Sequence, residues 1–318
     1  MILSPSKTVA TDHALLLWQD TYRHRVDAAV QAALSDLEKT AYAPLLEAMR
    51  YAALGGKRWR ALLLYATVAS LDPDDTLKAD AVADAPAAAL ELIHAYSLVH
   101  DDLPCMDNDA MRRGKPSCHI RFGETVALLA GDALQSAAFG LVAKSAMTDP
   151  AKACAILADA IGVGGMAGGQ GIDMNASVHG QPRGNIDEAL NALETMHRMK
   201  TGALIRASMA LGMLCVPSPQ CKPIARQNLM MFGDRLGLAF QIADDILDAT
   251  ASSDTLGKTA GKDEAQHKVT YVSLLGLEGA KRQLNLMKDE LAALTQSLGG
   301  AALMLRALAD TMLNRAQF

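Results

Sequence analysis

Aromatic residues make up only 4% of this 318-residue chain, and their shortage removes one of the main builders of β-sheet. No alternating run of β-branched residues takes their place. Cysteine is also sparse: five residues, an odd number, stand at 105, 118, 154, 215 and 221. None forms a C-x-x-C pair, which argues against a disulfide framework or a zinc site and predicts a reducing, cytoplasmic setting. No unbroken apolar run reaches 18 residues, so no membrane span is expected. The first residues, Met1 to Gln19, lack the basic start, apolar block and cleavage site of a secretory leader. A net charge of −5 gives no nucleic-acid footprint. An anionic substrate would need a local cluster of Lys and Arg.

What the chain does have is Ala, Leu and Met in long segments of helical spacing. The spacing predicts helices over 12–37, 42–54, 57–70, 79–103, 122–145, 150–174, 187–214, 221–250 and 265–278, with the last within 279–315. Breaks fall at Gly55-Gly56, Asp72-Pro73, Asp149-Pro150, His179 to Asn185 and Pro217 to Pro219. Asp187, with Glu188 in the first turn, is the predicted start of the 187–214 helix. Several helices are apolar over much of their circumference, which implies a buried central group. No linker divides the chain, so the expectation is a single all-α domain across 1–318.

Two acidic motifs stand about 140 residues apart: Asp101-Asp102-Leu103-Pro104-Cys105-Met106-Asp107 and Asp244-Asp245-Ile246-Leu247-Asp248. Crowded carboxylates repel, and a divalent cation is the usual reason for them to share a site. Magnesium takes one or two carboxylates and completes its shell with water and phosphate. Asp244 and Asp248 lie one helical turn apart, about 6 Å along the axis, with Gln241 and Gly237 on the same stripe. Asp101 and Asp107 are too far apart for one helical face. A bulge of two residues near Pro104 would restore the relation. Asp101, Asp107 and Asp244 are therefore the candidate metal ligands, with Asp102, Asp245 and Asp248 supporting them.

Cations cluster at Gly55-Gly56-Lys57-Arg58-Trp59-Arg60, where Lys57 and Arg60 are predicted to share a face at a helix start, a natural anion seat. Arg112 and Arg113 follow the first acidic motif and would diverge by about 100° on a helix, reaching two phosphate groups. Lys200-Thr201 interrupts an apolar helix, and Lys258, Lys262 and Lys268 follow the second motif. Gly162-Val163-Gly164-Gly165-Met166-Ala167 matches a loose dinucleotide pattern but lacks the strand before it, so the glycines are read as packing devices. Gln170 and Asp173, one turn apart, are read either as cavity residues or as packing and capping groups.

Taken in order, these elements resemble the trans-isoprenyl diphosphate synthase family, and within it the bacterial farnesyl diphosphate synthases. The signatures are Gly-Gly-Lys57-Arg-Trp-Arg60, His94-Ala-Tyr96-Ser97, the first acidic motif with Arg112-Arg113-Gly114-Lys115-Pro116, Gly131-Asp132, Lys200-Thr201-Gly202, Phe240-Gln241 with the second acidic motif, Gly257-Lys258 and Lys268-Val-Thr-Tyr271. The resemblance implies a helical bundle around a deep central cavity, a homodimer, and two to three magnesium ions per site. It implies that Arg112, Lys200, Thr201, Gln241, Lys258 and Lys268 hold an allylic diphosphate (dimethylallyl or geranyl). Lys57, Arg60, His94 and Arg113 would hold isopentenyl diphosphate. Head-to-tail condensation would then give (2E,6E)-farnesyl diphosphate.

Tyr96, with the smaller Ser97 beside it, lies about 7.5 Å below Asp101 along a helix axis and is the expected chain-length floor. The alternatives are a geranyl or geranylgeranyl diphosphate synthase, a terpene cyclase, and a noncatalytic synthase subunit. The last two fit poorly with a second diphosphate seat and two intact acidic motifs. Ala61, Ala110 and the ending Asn314-Arg315-Ala316-Gln317-Phe318 depart from the family pattern without removing an expected ligand.

Overall fold

The computed structural model describes residues 5–38, 42–72, 76–179, 185–217, 222–250, 268–298 and 302–314. In chain order the helices are α1 (Pro5–Ser35), α2 (Ala43–Ala53), α3 (Trp59–Leu71), α4 (Thr76–Asp101), α5 (Cys118–Phe122), α6 (Glu124–Ala143), α7 (Pro150–Ile161), α8 (Met166–His179), α9 (Ile186–His197), α10 (Ala203–Leu214), α11 (Pro223–Thr250), α12 (Tyr271–Ser297) and α13 (Leu303–Leu313). A π-turn, Arg198–Gly202, joins α9 to α10. The all-α architecture agrees with the composition.

Burial separates the helices into two classes. α3 buries Ala61 to Val68 without a break, and α10 is buried over most of its circumference. Such helices have no solvent face and must sit centrally. α3 packs on α4 and α10, and α10 packs on α11. In α1, by contrast, Val26, Val30 and Leu34 form one buried stripe at i, i+4, i+8. It is an outer helix lying on α4.

Several boundaries differ from the sequence expectation, α1 among them, which runs from Pro5 rather than from 12. The predicted 150–174 helix breaks between Ile161 and Met166. The 187–214 helix begins at Ile186 rather than at a capping Asp187, because the Asn185 side chain accepts from the Glu188 amide at 2.9 Å. The same segment widens into the π-turn at 198–202. The 265–278 helix starts at Tyr271, where Thr270 and Ser273 form a reciprocal capping box. A short hairpin was not anticipated: Met111–Arg112 (β1) pairs antiparallel with Lys115–Pro116 (β2). Arg113 and Gly114, both at positive φ (53° and 72°), make its two-residue turn.

Glu124–Ala143 and Pro150–Asn175 are long and apolar enough, by length and composition, to cross a membrane. The second is two helices, α7 and α8. The first packs on α2, α4, α5 and α7. The expectation of no such stretch holds only for unbroken apolar runs.

Two glycines set the central geometry. A Cβ on Gly169 would lie 2.3 Å from the Lys200 backbone nitrogen, and one on Gly237 would lie 2.8 Å from Cα of Gly202. Helices α8 and α11 thus close on the π-turn from two sides, at distances no larger residue permits. Gly169→Ala should destabilise the protein by about 1–3 kcal/mol through overpacking. Gly171→Ala, on the same helix with nothing within 4 Å of the added carbon, should be neutral or stabilising. Chemical denaturation midpoints decide, and equal effects at both sites would show that the contact is not what fixes the spacing.

Candidate active site

The first acidic motif is built by a helix ending, not by the predicted bulge inside a helix. Pro104 cannot continue α4, and the chain turns back so that the Asp107 amide donates to the Asp101 carbonyl at 2.8 Å and the Asn108 amide to Leu103 at 3.1 Å. Asp101 and Asp107 both reach a cavity of about 240 Å³. Asp109 and Arg112 enter from the same side, and Gln241, Asp244, Asp245 and Asp248 from α11. His197, Lys200 and Asp173 line a third wall, and Lys268-Val269-Thr270 a fourth.

Burial drives the Asp101 carboxyl up to about 6; Lys200 opposes this and Asp107 reinforces it. Asp173 is the hub of the cationic wall. It accepts from Lys200 Nζ at 2.5 Å and lies 3.5 Å from Lys268 Nζ. Burial alone would raise the Asp173 pKa, but the two lysines hold it below its ordinary value.

Asp102, predicted as a supporting metal residue, does not line this cavity. Its side chain is 2% exposed and accepts from Arg112 Nη2 at 2.5 Å and Nε at 3.0 Å. Asp102 therefore aims Arg112, which keeps a face on the cavity. Asp245 does reach the cavity, and its Oδ2 also accepts from the Tyr271 amide at 2.7 Å, tying the start of α12 to α11. Lys258 lies outside the described residues.

The glycine turn differs from its predicted form as well. Gly55, Gly56 and Arg58 all have positive φ (83°, 104° and 58°), and α3 begins only at Trp59. Lys57 stands on the exposed turn while Arg60 is inside, so the two do not share a helical face. The middle residue, Arg58, is 3% exposed and bridges Asp27 at 2.6 Å and Glu91 at 3.2 Å. Arg113 donates to the Gly55 carbonyl at 2.9 Å. Its separation from Arg112 comes from the hairpin turn rather than from a helix.

A larger cavity, of about 580 Å³, opens beside the acidic one. Arg60, His94, Tyr96, Ser97, Met166, Gln170, Met174 and Thr201 contribute to its wall. Leu98, Asp101 and Lys200 line both spaces. Tyr96 is 8% exposed and meets His100 edge-on at 5.7 Å. The His94 imidazole is driven well below its usual pKa by burial, with Arg60 and Arg113 adding to the effect, so it is neutral.

Residues 43–299 match the polyprenyl synthetase family. The chain belongs to that family. It is 44% identical over 282 residues to the farnesyl diphosphate synthase of Escherichia coli (strain K12), covering 86% of this chain and 89% of that one. Identity to the Haemophilus influenzae farnesyl diphosphate synthase is 46% over 264 residues, covering 81% and 84%. A solved geranyltransferase from Helicobacter pylori, complexed with magnesium and isoprenyl diphosphate, superposes with a TM-score of 0.74 at 29% identity, covering 99% of this chain and 98% of that one.

Within this polyprenyl synthetase, two cavity residues, Asp109 and His197, and one buried bridging residue, Arg58, are not singled out by the sequence. Asp109 was passed over as a neighbour of the first motif. Arg58 drew no separate role within a run of cations. His197 gave no signal, as one histidine in an apolar helix. It is 5% exposed, stacks on Tyr271 (centroids 5.9 Å apart, 15° between planes) and has neither ring nitrogen partnered among the described residues. Burial lowers its pKa to about 4.

The differing environments of two adjacent carboxylates give a test. Asp102→Ala removes the anchor of Arg112 and should cost about 1–2 kcal/mol of stability; its own burial raises the Asp102 pKa and keeps the figure small. Asp101→Asn removes a carboxylate whose folded pKa lies above its unfolded one. Ionisation of Asp101 opposes folding at neutral pH, so this variant should raise the denaturation midpoint of metal-free protein. The same sign for both substitutions would contradict the division of roles.

Proposed function

We propose that this protein is a farnesyl diphosphate synthase. It condenses dimethylallyl and then geranyl diphosphate with isopentenyl diphosphate, within one catalytic domain over residues 1–318. The supporting observation is the joining of the two cavities at Leu98, Asp101 and Lys200. One is polar and suits a diphosphate; the other is rich in apolar side chains and suits a prenyl tail.

The acidic cavity fits magnesium. Among the described residues it carries seven carboxylates against three cations, Arg112, Lys200 and Lys268, an excess of four negative charges. Two divalent ions balance that excess, and an added diphosphate calls for a third. The donors are hard oxygens. No three described His, Cys, Asp or Glu side chains converge on one point. An ion that takes one or two carboxylates and completes its shell with water and phosphate suits that arrangement. Asp101, Asp107 and Asp244 would hold magnesium, with Asp245 and Asp248 close by, and the bound ions would supply electrostatic stabilisation of the departing diphosphate.

The chain's own side chains do the rest. Arg112, Lys200 and Lys268 present positive charge to the allylic diphosphate, and Thr201 and Gln241 present polar groups. Arg60, neutral His94 and Arg113, with Lys57 at the mouth, seat isopentenyl diphosphate. The C1–O bond of the allylic substrate breaks with its electron pair going to diphosphate. The double bond of isopentenyl diphosphate supplies the pair for the new carbon–carbon bond, and its C2 proton passes to the released diphosphate. The apolar wall excludes water from the cation.

Ile120 on α5 and Leu128 and Leu129 on α6 are exposed; a second copy of the chain covering this face is the homodimer we propose, working in the cytoplasm.

Purified protein given magnesium, dimethylallyl diphosphate and isopentenyl diphosphate should yield a fifteen-carbon prenyl diphosphate by chromatography. Asp101→Ala, Asp107→Ala and Asp244→Ala should each stay helical and lose turnover by orders of magnitude, since metal-borne stabilisation is worth several kcal/mol. Near-normal turnover in all three at saturating magnesium would remove the metal assignment.

Product length follows from depth. Tyr96 lies about 7.5 Å along α4 from Asp101, and another isoprene unit needs roughly one more helical turn, about 5 Å. Tyr96→Ala should shift the product toward geranylgeranyl diphosphate while the first condensation continues. An unchanged product spectrum would place the floor elsewhere.

A further inference from the structure

Gln170 has no role in the chemistry just described, yet it occupies an improbable position. The residue is 8% exposed. Both the nitrogen and the oxygen of its side-chain amide are buried with no partner among the described residues. It lines the larger cavity between Met166 and Met174, its i−4 and i+4 neighbours on α8, so a single amide interrupts a methionine stripe. A third methionine would fill the same wall without the desolvation that an unpaired amide suffers.

Position identifies what the amide meets. Asp173, three residues on along α8, lines the acidic cavity and holds Lys200. At helical rise Gln170 lies about 4.5 Å from it along the axis. The contact of Gly169 with the Lys200 backbone fixes α8 at that depth. Gln170 is thus level with the first carbons of a chain whose diphosphate sits beside Lys200. Those carbons offer no hydrogen bond. What they offer is positive charge, shared between C1 and C3, once the C–O bond has broken.

We infer that Gln170 is a further catalytic residue, whose amide oxygen turns toward the allylic cation and stabilises it before the isopentenyl double bond attacks. Neither end of the amide is held, so the oxygen is free to face the cation. A carbonyl dipole that meets developing positive charge acts on the transition state more than on the neutral ground state. Gln170 forms no bond: the electron pair of the C1–O bond leaves with diphosphate, and the new bond uses the π pair of isopentenyl diphosphate. The inference rests on the proposed prenyl transfer.

The test is Gln170→Met, which continues the methionine stripe. We expect kcat to fall about ten- to a hundredfold, with KM for both substrates nearly unchanged and thermal stability equal or higher. A second measurement separates charge from shape. A geranyl diphosphate analogue with a protonated nitrogen in place of C3 should bind the variant more weakly by a similar factor. Geranyl S-thiolodiphosphate, which is neutral at that position, should bind wild type and variant alike, both read by calorimetry with magnesium. Normal kcat in the variant, or equal loss of affinity for both analogues, would overturn the assignment. So would a variant changed only in the amount of geraniol released, since Gln170 would then be holding water. Wild-type protein that binds both analogues but makes no longer prenyl diphosphate would instead count against the proposed function, and the analogue comparison would still decide the role of Gln170.

Discussion

Keeping many carboxylates ionised around one small space is the constraint on which the rest of the structure depends. Both acidic motifs stand at carboxyl ends of helices: α4 ends at Asp101, and Asp244 to Asp248 lie in the last turns of α11, which ends at Thr250. The macrodipole is negative at that end of a helix, so it adds to the carboxylates rather than offsetting them. No stability argument favours such an arrangement. It is sensible only if cations and an anionic substrate complete the site, and the raised pKa of Asp101 records the cost of burying a carboxylate there.

The remaining framework supplies fixed positive charge without letting it collapse onto those acids. Asp102 takes the side of Arg112 away from the cavity. Asp173 holds Lys200 and Lys268 on the opposite wall. Glu91 and Asp27 hold Arg58 beneath the glycine turn, and Gly55 holds Arg113 through its carbonyl. Each cation is aimed by a partner behind it. Buried ion pairs contribute little net stability, but they fix direction, and direction is what a diphosphate seat needs.

Much of this was legible in the sequence because it depends on local spacing. The all-α class follows from composition, and the Asp244–Asp248 stripe follows from 3.6 residues per turn. The failures lie where a backbone departs from regular geometry or a partner is distant. The helix ending at Asp101, the π-turn at Lys200 and the positive-φ hairpin at Arg113-Gly114 have no periodic signature. The sequence reads Asp107 as a ligand and Asp102 as its support at the same site, yet Asp102 faces Arg112 and, of the two, Asp107 alone lines the cavity. That difference depends on β1, which a two-residue strand cannot announce. His197 was invisible as a cavity residue, and the sequence leaves Gln170 open between cavity and packing, for another reason: neither side chain has a partner among the described residues, and only three dimensions reveal that.

The reach of the tail cavity depends on one rigid element. His94, Tyr96, Ser97, Leu98 and Asp101 all belong to α4, so the proposed isopentenyl seat, chain floor and metal site share one rise of 1.5 Å per residue. Any sliding of α4 would move all three together relative to α8 and α11. The helix is pinned against that. Arg25 donates to Asp84 through Nε at 2.5 Å and Nη2 at 2.9 Å. The Tyr65 hydroxyl reaches the same carboxylate at 2.5 Å. Tyr22 reaches Asp80 at 2.6 Å, and Glu91 holds Arg58. These contacts come from α1, α3 and the turn before α3. Directional polar contacts suit this task better than apolar packing, which tolerates small slides. On the proposed reading, product length is a property of a clamped helix as much as of the tyrosine it carries.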